Sequence, residues 1–213
     1  MMNGAVPLMG SPPFDMLPRN HFAAIAADCG TRFETYSPKG ETSRSPQKKY
    51  TTLADGELAD LMAAAGALAA RDAFLFYWDT TARVAAGLHI PIMRAAGFKP
   101  TAIAFTWVKL RPREPDSPFL YPRSSFNFGP GLTTRKGTEL CVLGRRGSPK
   151  RLSTSVRELI IAPRREHSRK PDEFYDRVQQ YAAGPYLELF ARQRRPGWAS
   201  WGNEVDRFAE AAE

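Results

Sequence analysis

Apolar residues along this chain fall into short runs separated by polar, proline-rich stretches. The first run, Phe22 to Ala27, ends at Asp28 and reads as a buried strand. Leu53, Leu58, Leu61, Met62 and Ala65 recur at helical spacing inside the Ala-rich stretch Leu53 to Leu68, which predicts a helix. Asp72 to Asp79 (DAFLFYWD) predicts a strand that again ends on a carboxylate. Thr80 to Ala96 reads as one amphipathic helix stopped by Gly97, and Thr101 to Leu110 as a strand. Glu139 to Leu143, Glu158 to Ala162 and Tyr186 to Ala191 follow as strands, the last succeeded by a Trp-Gly-rich segment and a helical stub. Lys170 to Ala182 predicts a helix: Ser168 can cap it, Pro171 suits its first turn, and Asp172 and Glu173 favour its positive end.

Strands alternating with helices of these lengths imply an α/β fold, a mostly parallel sheet with helices on both faces. Ligands on such sheets sit beyond the carboxyl ends of the strands, which puts Asp28, Asp79 and Arg192 on one rim. Residues 1–20 read as a flexible tail and residues 21–213 as a single domain. Two long polar loops, Cys29 to Lys49 and Arg111 to Lys136, have the length of lids or binding loops.

Composition narrows the function. Hydrophobic residues make up 43% of the 213, enough for one packed core. Cys29 and Cys141 are the only cysteines, which suggests a reducing compartment without a disulfide framework. His21, His89 and His167 are too scattered for a metal triad, so no metal is expected. No apolar run reaches the roughly 20 residues of a membrane span, and the expected location is cytoplasmic.

The formal net charge of +8 favours a polyanionic partner, nucleic acid first. The basic residues cluster: Lys48 and Lys49; Arg111 and Arg113; Arg145, Arg146, Lys150 and Arg151; Arg164, Arg165, Arg169 and Lys170; Arg194 and Arg195. Several belong to strand-end loops and are expected to converge around the cleft as a phosphate-binding rim. Tyr50, Phe119, Tyr121, Phe126 and Phe128 interleave with this charge and could stack splayed bases.

Three blocks are more particular than an α/β pattern: KGTELCVLGRRGSPKRL from Lys136, PRREHSRKPDEFY from Pro163, and GPYLELFARQRRPGWASWGNEV from Gly184. Together they resemble the MT-A70 family of adenine N6 methyltransferases, above all its compact bacterial and phage members. The similarity runs from about His21 to Phe208. It implies a Rossmann-like methyltransferase fold with S-adenosylmethionine as methyl donor. Lys170 would pair with the donor's carboxylate, Glu188, Phe190 and Arg192 would line its site, and Asn203 and Glu204 would take the ribose and adenine. Asp28 would accept from the donor's amino group or from the target amine. Lys49, Tyr50, Glu139, Arg165 and Arg194 are the candidate substrate contacts. The implied partner is nucleic acid, DNA before RNA, with homodimer or heterodimer assembly left open.

One departure bears on activity. Family members carry Asp-Pro-Pro-Trp after the first strand, whereas this chain reads Asp28-Cys29-Gly30-Thr31. In the family the carboxylate and a proline carbonyl accept the amine's two hydrogens, and the aromatic ring stacks on the flipped-out base. Losing a base-stacking ring typically costs ~1–3 kcal/mol. Cys29 as a nucleophile toward a pyrimidine ring is the alternative chemistry, with an inert small residue as the default. Ser11-Pro12-Pro13-Phe14 matches a Ser-Pro-Pro-aromatic string but lacks a preceding strand, so it reads as tail. Three functions follow: a base methyltransferase, most simply adenine N6 in DNA; a catalytically silent protein that binds nucleic acid or a partner methyltransferase; or an altered base modification.

Overall fold

The computed structural model describes residues 14–30, 53–111, 126, 127, 129, 134–166 and 169–206. Its elements run β1 (Phe22–Asp28), α1 (Asp55–Ala65), β2 (Ala69–Asp79), α2 (Thr81–Ala85), α3 (His89–Ala95), β3 (Lys99–Leu110), β4 (Thr138–Arg146), β5 (Leu159–Pro163), α4 (Asp172–Tyr181), β6 (Tyr186–Leu189) and β7 (Trp198–Trp201). The strands form one sheet in the order β5-β3-β4-β2-β1-β6-β7. β1 pairs parallel with β2 and β6, β6 with β7, and β3 with β5, while β4 runs antiparallel to both of its neighbours. The fold is therefore α/β and Rossmann-like, mostly parallel with one reversed strand.

Alternation along the central strands splits the core into two layers. Ile25 and Ala27 of β1 and Ala73, Leu75 and Tyr77 of β2 face one side, where Leu58 and Met62 of α1 and Ile92 and Met93 of α3 cover them. Ala24, Ala26, Phe74, Phe76 and Trp78 face the other, against Phe174 and Val178 of α4. Strands covered on both faces read as continuous apolar runs, which is why the sequence shows β1 and β2 so plainly.

Four expectations need correction. The single helix over Thr80 to Ala96 is two, α2 and α3, because Gly87 takes a φ of 72° and turns the chain between them. Tyr186 to Ala191 is not the last strand: Trp198–Trp201 adds β7 in parallel register with β6. Pro171 occupies the N-cap of α4 rather than its first turn, and its own side chain makes no cap hydrogen bond. The expected tail ends earlier, since Phe14 is only 5% exposed and Leu17 packs against the same core. Ser168, residues 11–13 and the C-terminal stub lie outside the described residues. Among the described residues no helix is long and apolar enough to cross a membrane.

Candidate active site

A pocket lies at the carboxyl ends of β1 and β6. It is lined by Asp28, Arg169, Lys170, Tyr175, Glu188, Phe190, Arg192, Gln193 and Arg195. Asp28 closes β1, and Glu188 lies on β6 with Phe190 and Arg192 just beyond its end. Lys170 comes from the segment entering α4, so three separate stretches of chain meet here. The enclosed part of the cavity is small, about 20 Å³, so a nucleoside-bearing ligand would extend beyond it over the strand ends.

Lys170 organises one wall. Its side chain is buried, and Nζ lies 2.6 Å from Asp28 Oδ2 and 3.2 Å from Glu139 Oε2. Glu139 also takes the Lys109 ammonium. The result is a chain of alternating sign, Asp28–Lys170–Glu139–Lys109, with Lys170 set over the Trp78 ring and Lys109 over Trp107. Burial disfavours the Lys170 ammonium, but Asp28 and Glu139 outweigh it and raise its pKa. Burial likewise opposes the Glu139 carboxylate, but the two lysines hold it at about 2. Both groups are ionised across the physiological range.

The opposite wall centres on Glu188. Tyr175 donates its hydroxyl to Glu188 Oε1 at 2.6 Å, and the Arg195 guanidinium lies 3.7 Å from the Tyr175 ring centroid while pairing with Asp172 at 2.7 Å. Glu188 Oε2 and Gln193 Oε1 are buried acceptors without a hydrogen-bond partner among the described residues. Burial pushes the Glu188 carboxyl up to about 7, against the Tyr175 hydrogen bond and Arg195. Open acceptors beside a buried cation suit a ligand carrying hydroxyl or ammonium donors and a carboxylate, the groups of an amino-acid-linked nucleoside.

The floor is aromatic. Phe190 has a φ of 61°, a region L side chains rarely adopt, and its ring meets Trp201 edge-on at 5.7 Å. Phe14 packs against Trp201 at 4.6 Å, so the segment read as tail supports this wall. Gly202 follows Trp201, and a Cβ there would stand 2.4 Å from the Ala191 carbonyl oxygen.

The expected site residues thus divide. Asp28, Lys170, Glu188, Phe190 and Arg192 share the pocket. Glu139 joins them through Lys170, and Glu204 through a 3.4 Å contact with Arg192. Asn203 is exposed and does not line the cavity. Arg165 braces α4, donating to Asp172 at 2.7 Å and to the Lys170 carbonyl at 2.9 Å. Arg194 is 70% exposed and pairs with Asp206. Lys48, Lys49, Tyr50, Thr31, Arg113, Phe119, Tyr121, Phe128 and His167 lie outside the described residues.

Cys29 packs against the apolar core, where burial and then Asp28 raise its thiol well above the ordinary value, so the thiolate needed for nucleophilic chemistry is disfavoured. Asp79 is on the same rim but is clamped by Arg83, which also reaches Asp55 at 2.7 Å. Sequence reading missed Tyr175, Gln193 and Lys109, and took Arg195 only as part of the basic rim. Tyr175 and Arg195 fall inside two of the three quoted blocks, but nothing in their spacing shows that one stacks on the other.

The expected phosphate rim also divides. β4 runs against its neighbours, so its last residues, Arg145 and Arg146, pair with Phe74 and Ala73 near the start of β2. They and the following Lys150 and Arg151 lie at the end of the sheet opposite the pocket. Reading a strand's exit as a rim position fails for a reversed strand.

A model of the MT-A70 family matches residues 35–204 of the chain. This chain belongs to the MT-A70 family. The match begins beyond β1, so Asp28-Cys29-Gly30-Thr31 precedes it. The MT-A70 chain is 28% identical over 209 residues to the Type II methyltransferase M.MunI of a Mycoplasma species, covering 90% of this chain and 81% of that protein. It is 46% identical over 52 residues to the human N(6)-adenine-specific methyltransferase METTL4, covering 24% of this chain and 11% of that protein. Against the human N(6)-adenosine-methyltransferase catalytic subunit METTL3 it is 34% identical over 74 residues, covering 33% of this chain and 13% of that protein. The chain thus spans most of M.MunI but only a small part of the two human relatives.

Proposed function

We propose that this MT-A70 protein is an S-adenosylmethionine-dependent methyltransferase acting on the N6 amine of adenine in nucleic acid, DNA before RNA. The observation that carries the reading is the meeting of Asp28, Lys170, Glu188, Phe190 and Arg192 around one cavity at the strand ends. The likeness to M.MunI over 90% of the chain supports it. The donor, when bound, supplies an electrophilic methyl group on a sulfonium. Lys170 takes the donor's carboxylate, Glu188 and Gln193 accept from its hydroxyl or ammonium groups, and Phe190 gives it an apolar wall. Asp28 accepts hydrogen bonds from the target amine, whose lone pair is otherwise delocalised into the base. Asn203 and Glu204, in the turn after β7 and outside the cavity lining, would take the donor's ribose and adenine where it extends beyond the cavity. Lys49, Tyr50, Arg165 and Arg194 are retained as substrate contacts of this proposal.

A second reading has its own support. Cys29-Gly30-Thr31 supplies neither the rigid turn nor the stacking ring, and Asp28 is already engaged by Lys170 at 2.6 Å. A protein that binds donor or nucleic acid without transferring a methyl group fits those facts. Isothermal titration with S-adenosylmethionine and its demethylated product, beside tritiated-methyl transfer to duplex DNA, single-stranded DNA and RNA, separates the two. Transfer into N6-methyladenine, read by mass spectrometry, supports the enzyme. Donor binding without transfer supports the silent protein. Absence of donor binding defeats the enzyme and leaves only a silent protein that binds nucleic acid.

A further inference from the structure

The cations of this protein sort by end of the sheet. At the pocket end Arg83, Lys109, Lys170, Arg192 and Arg195 each pair with a carboxylate. At the far end Arg71, Arg94, Lys99, Arg145, Lys150 and Arg151 are all exposed, and none forms an ion pair among the described residues.

Register and hydrogen bonds bring these six to one end of the sheet. Lys99 opens β3 and lies opposite Arg145 of β4. The Ser148 N–H donates to Asp72 Oδ1 at 2.6 Å, which ties the turn carrying Lys150 to the start of β2 beside Arg71. The Leu152 N–H donates to the carbonyl of Tyr181, the last residue of α4, and fixes Arg151 at the same level. Arg94 lies in the last turn of α3, and a Cβ on the nearby Gly97 would touch the Arg146 guanidinium. Asp72 is the one carboxylate among residues 71–72, 94–99 and 145–151, and Ser148 holds it.

This arrangement works against stability. Like charges directly opposite on paired strands repel, as Lys99 and Arg145 must. An exposed cluster without counter-charges is matched by a partner that brings regularly spaced negative charge, the chemistry of a phosphodiester backbone. β2 alone spans ~35 Å at ~3.3 Å per residue, so this face and the pocket engage separate stretches of a strand.

We propose that the base of the sheet is a second nucleic-acid contact, gripping phosphates remote from the base presented to the pocket. The proposal rests on the nucleic-acid reading above and extends it: the base gives sequence-independent grip, and the pocket selects the base. The test compares the full chain with the triple variant Lys99→Gln, Arg145→Gln, Arg151→Gln. Fluorescence anisotropy with a 30-base-pair DNA duplex and with single-stranded RNA is recorded over a salt series, beside donor titration of both proteins.

The expected result is a slope of log affinity against log salt reduced by about one per lost contact, roughly three in all, with donor affinity unchanged. The nucleic acid showing the larger reduction is the one this face holds. An unchanged slope with both probes overturns the proposal, as does tighter binding of polyglutamate than of either nucleic acid at equal charge. If the triple variant loses donor binding, the double variant Lys150→Gln, Arg151→Gln, confined to one surface turn, decides the slope by the same criterion. Absence of donor binding by the parent chain defeats the methyltransferase reading, while the slope still judges the base.

Discussion

Lys170 Nζ lies 2.6 Å from Asp28 Oδ2, although the two residues come from distant parts of the chain, the end of β1 and the entry to α4. The contact couples the proposed donor site to the proposed target-amine acceptor. It also makes Lys170 structural. Removing one member of a buried ionic network leaves the others uncompensated, at a cost of ~3 kcal/mol. Lys170→Met is expected to lower the urea midpoint accordingly and to abolish measurable donor binding. Retention of both would show that the ammonium is not what holds this wall together.

Glu188 links stability to pH. Its folded pKa, raised to about 7 chiefly by burial, exceeds the usual carboxyl value of roughly 4.3. The stability that Glu188 contributes is fully present below the unfolded pKa and is lost as pH rises through about 7. Asp79, raised to about 6 by burial, adds a loss of the same sign. Glu188→Gln should remove the first contribution and flatten the profile, gaining up to ~3 kcal/mol on the parent at pH 8 relative to pH 4. Denaturant titrations at the two pH values measure it, and parallel profiles would refute it.

The fold was largely legible because its central strands are apolar on both faces and its helices follow the usual period. What escaped has physical causes. β7 is only four residues, Trp198 to Trp201, and becomes a strand by pairing with β6. The break after α2 depends on the backbone of Gly87, which a side-chain pattern does not show. Within the site, the resemblance supplied Lys170 and Glu188. It could not show that Lys170 is held by two carboxylates, or that Phe14 braces Trp201. Those are long-range contacts with no periodic signature.

Gly202 tests the pocket floor without touching an ionisable group. A Cβ at this position would stand 2.4 Å from the Ala191 oxygen and 2.7 Å from its nitrogen, so the backbone beside Phe190 and Arg192 must move. Gly202→Ala is expected to weaken donor binding at least ~10-fold while costing only ~1–3 kcal/mol of stability, the range for local overpacking. Calorimetry and thermal melts together check this, and unchanged donor affinity would contradict it.

The tetrapeptide position is the test of catalysis. The Gly30 carbonyl accepts the Leu53 N–H at 3.0 Å, which gives the turn a fixed point. Restoring the family motif through Cys29→Pro, Gly30→Pro and Thr31→Trp returns one stacking ring, worth ~1–3 kcal/mol, and a stiffer acceptor turn. Methyl transfer should rise ~10- to 100-fold, since ~1.4 kcal/mol is tenfold in rate. No gain from a folded, donor-binding triple variant would mean that this turn does not limit transfer.

The direction of β4 gives the molecule its polarity. One reversed strand delivers acidic Glu139 to the pocket at its beginning and basic Arg145 to the opposite pole at its end. A polyanion approaching from a distance is drawn first to the pole where charge is unneutralised, and meets the chemistry only after the molecule turns or the strand wraps. Orientation, rather than affinity alone, then governs how often an encounter becomes productive.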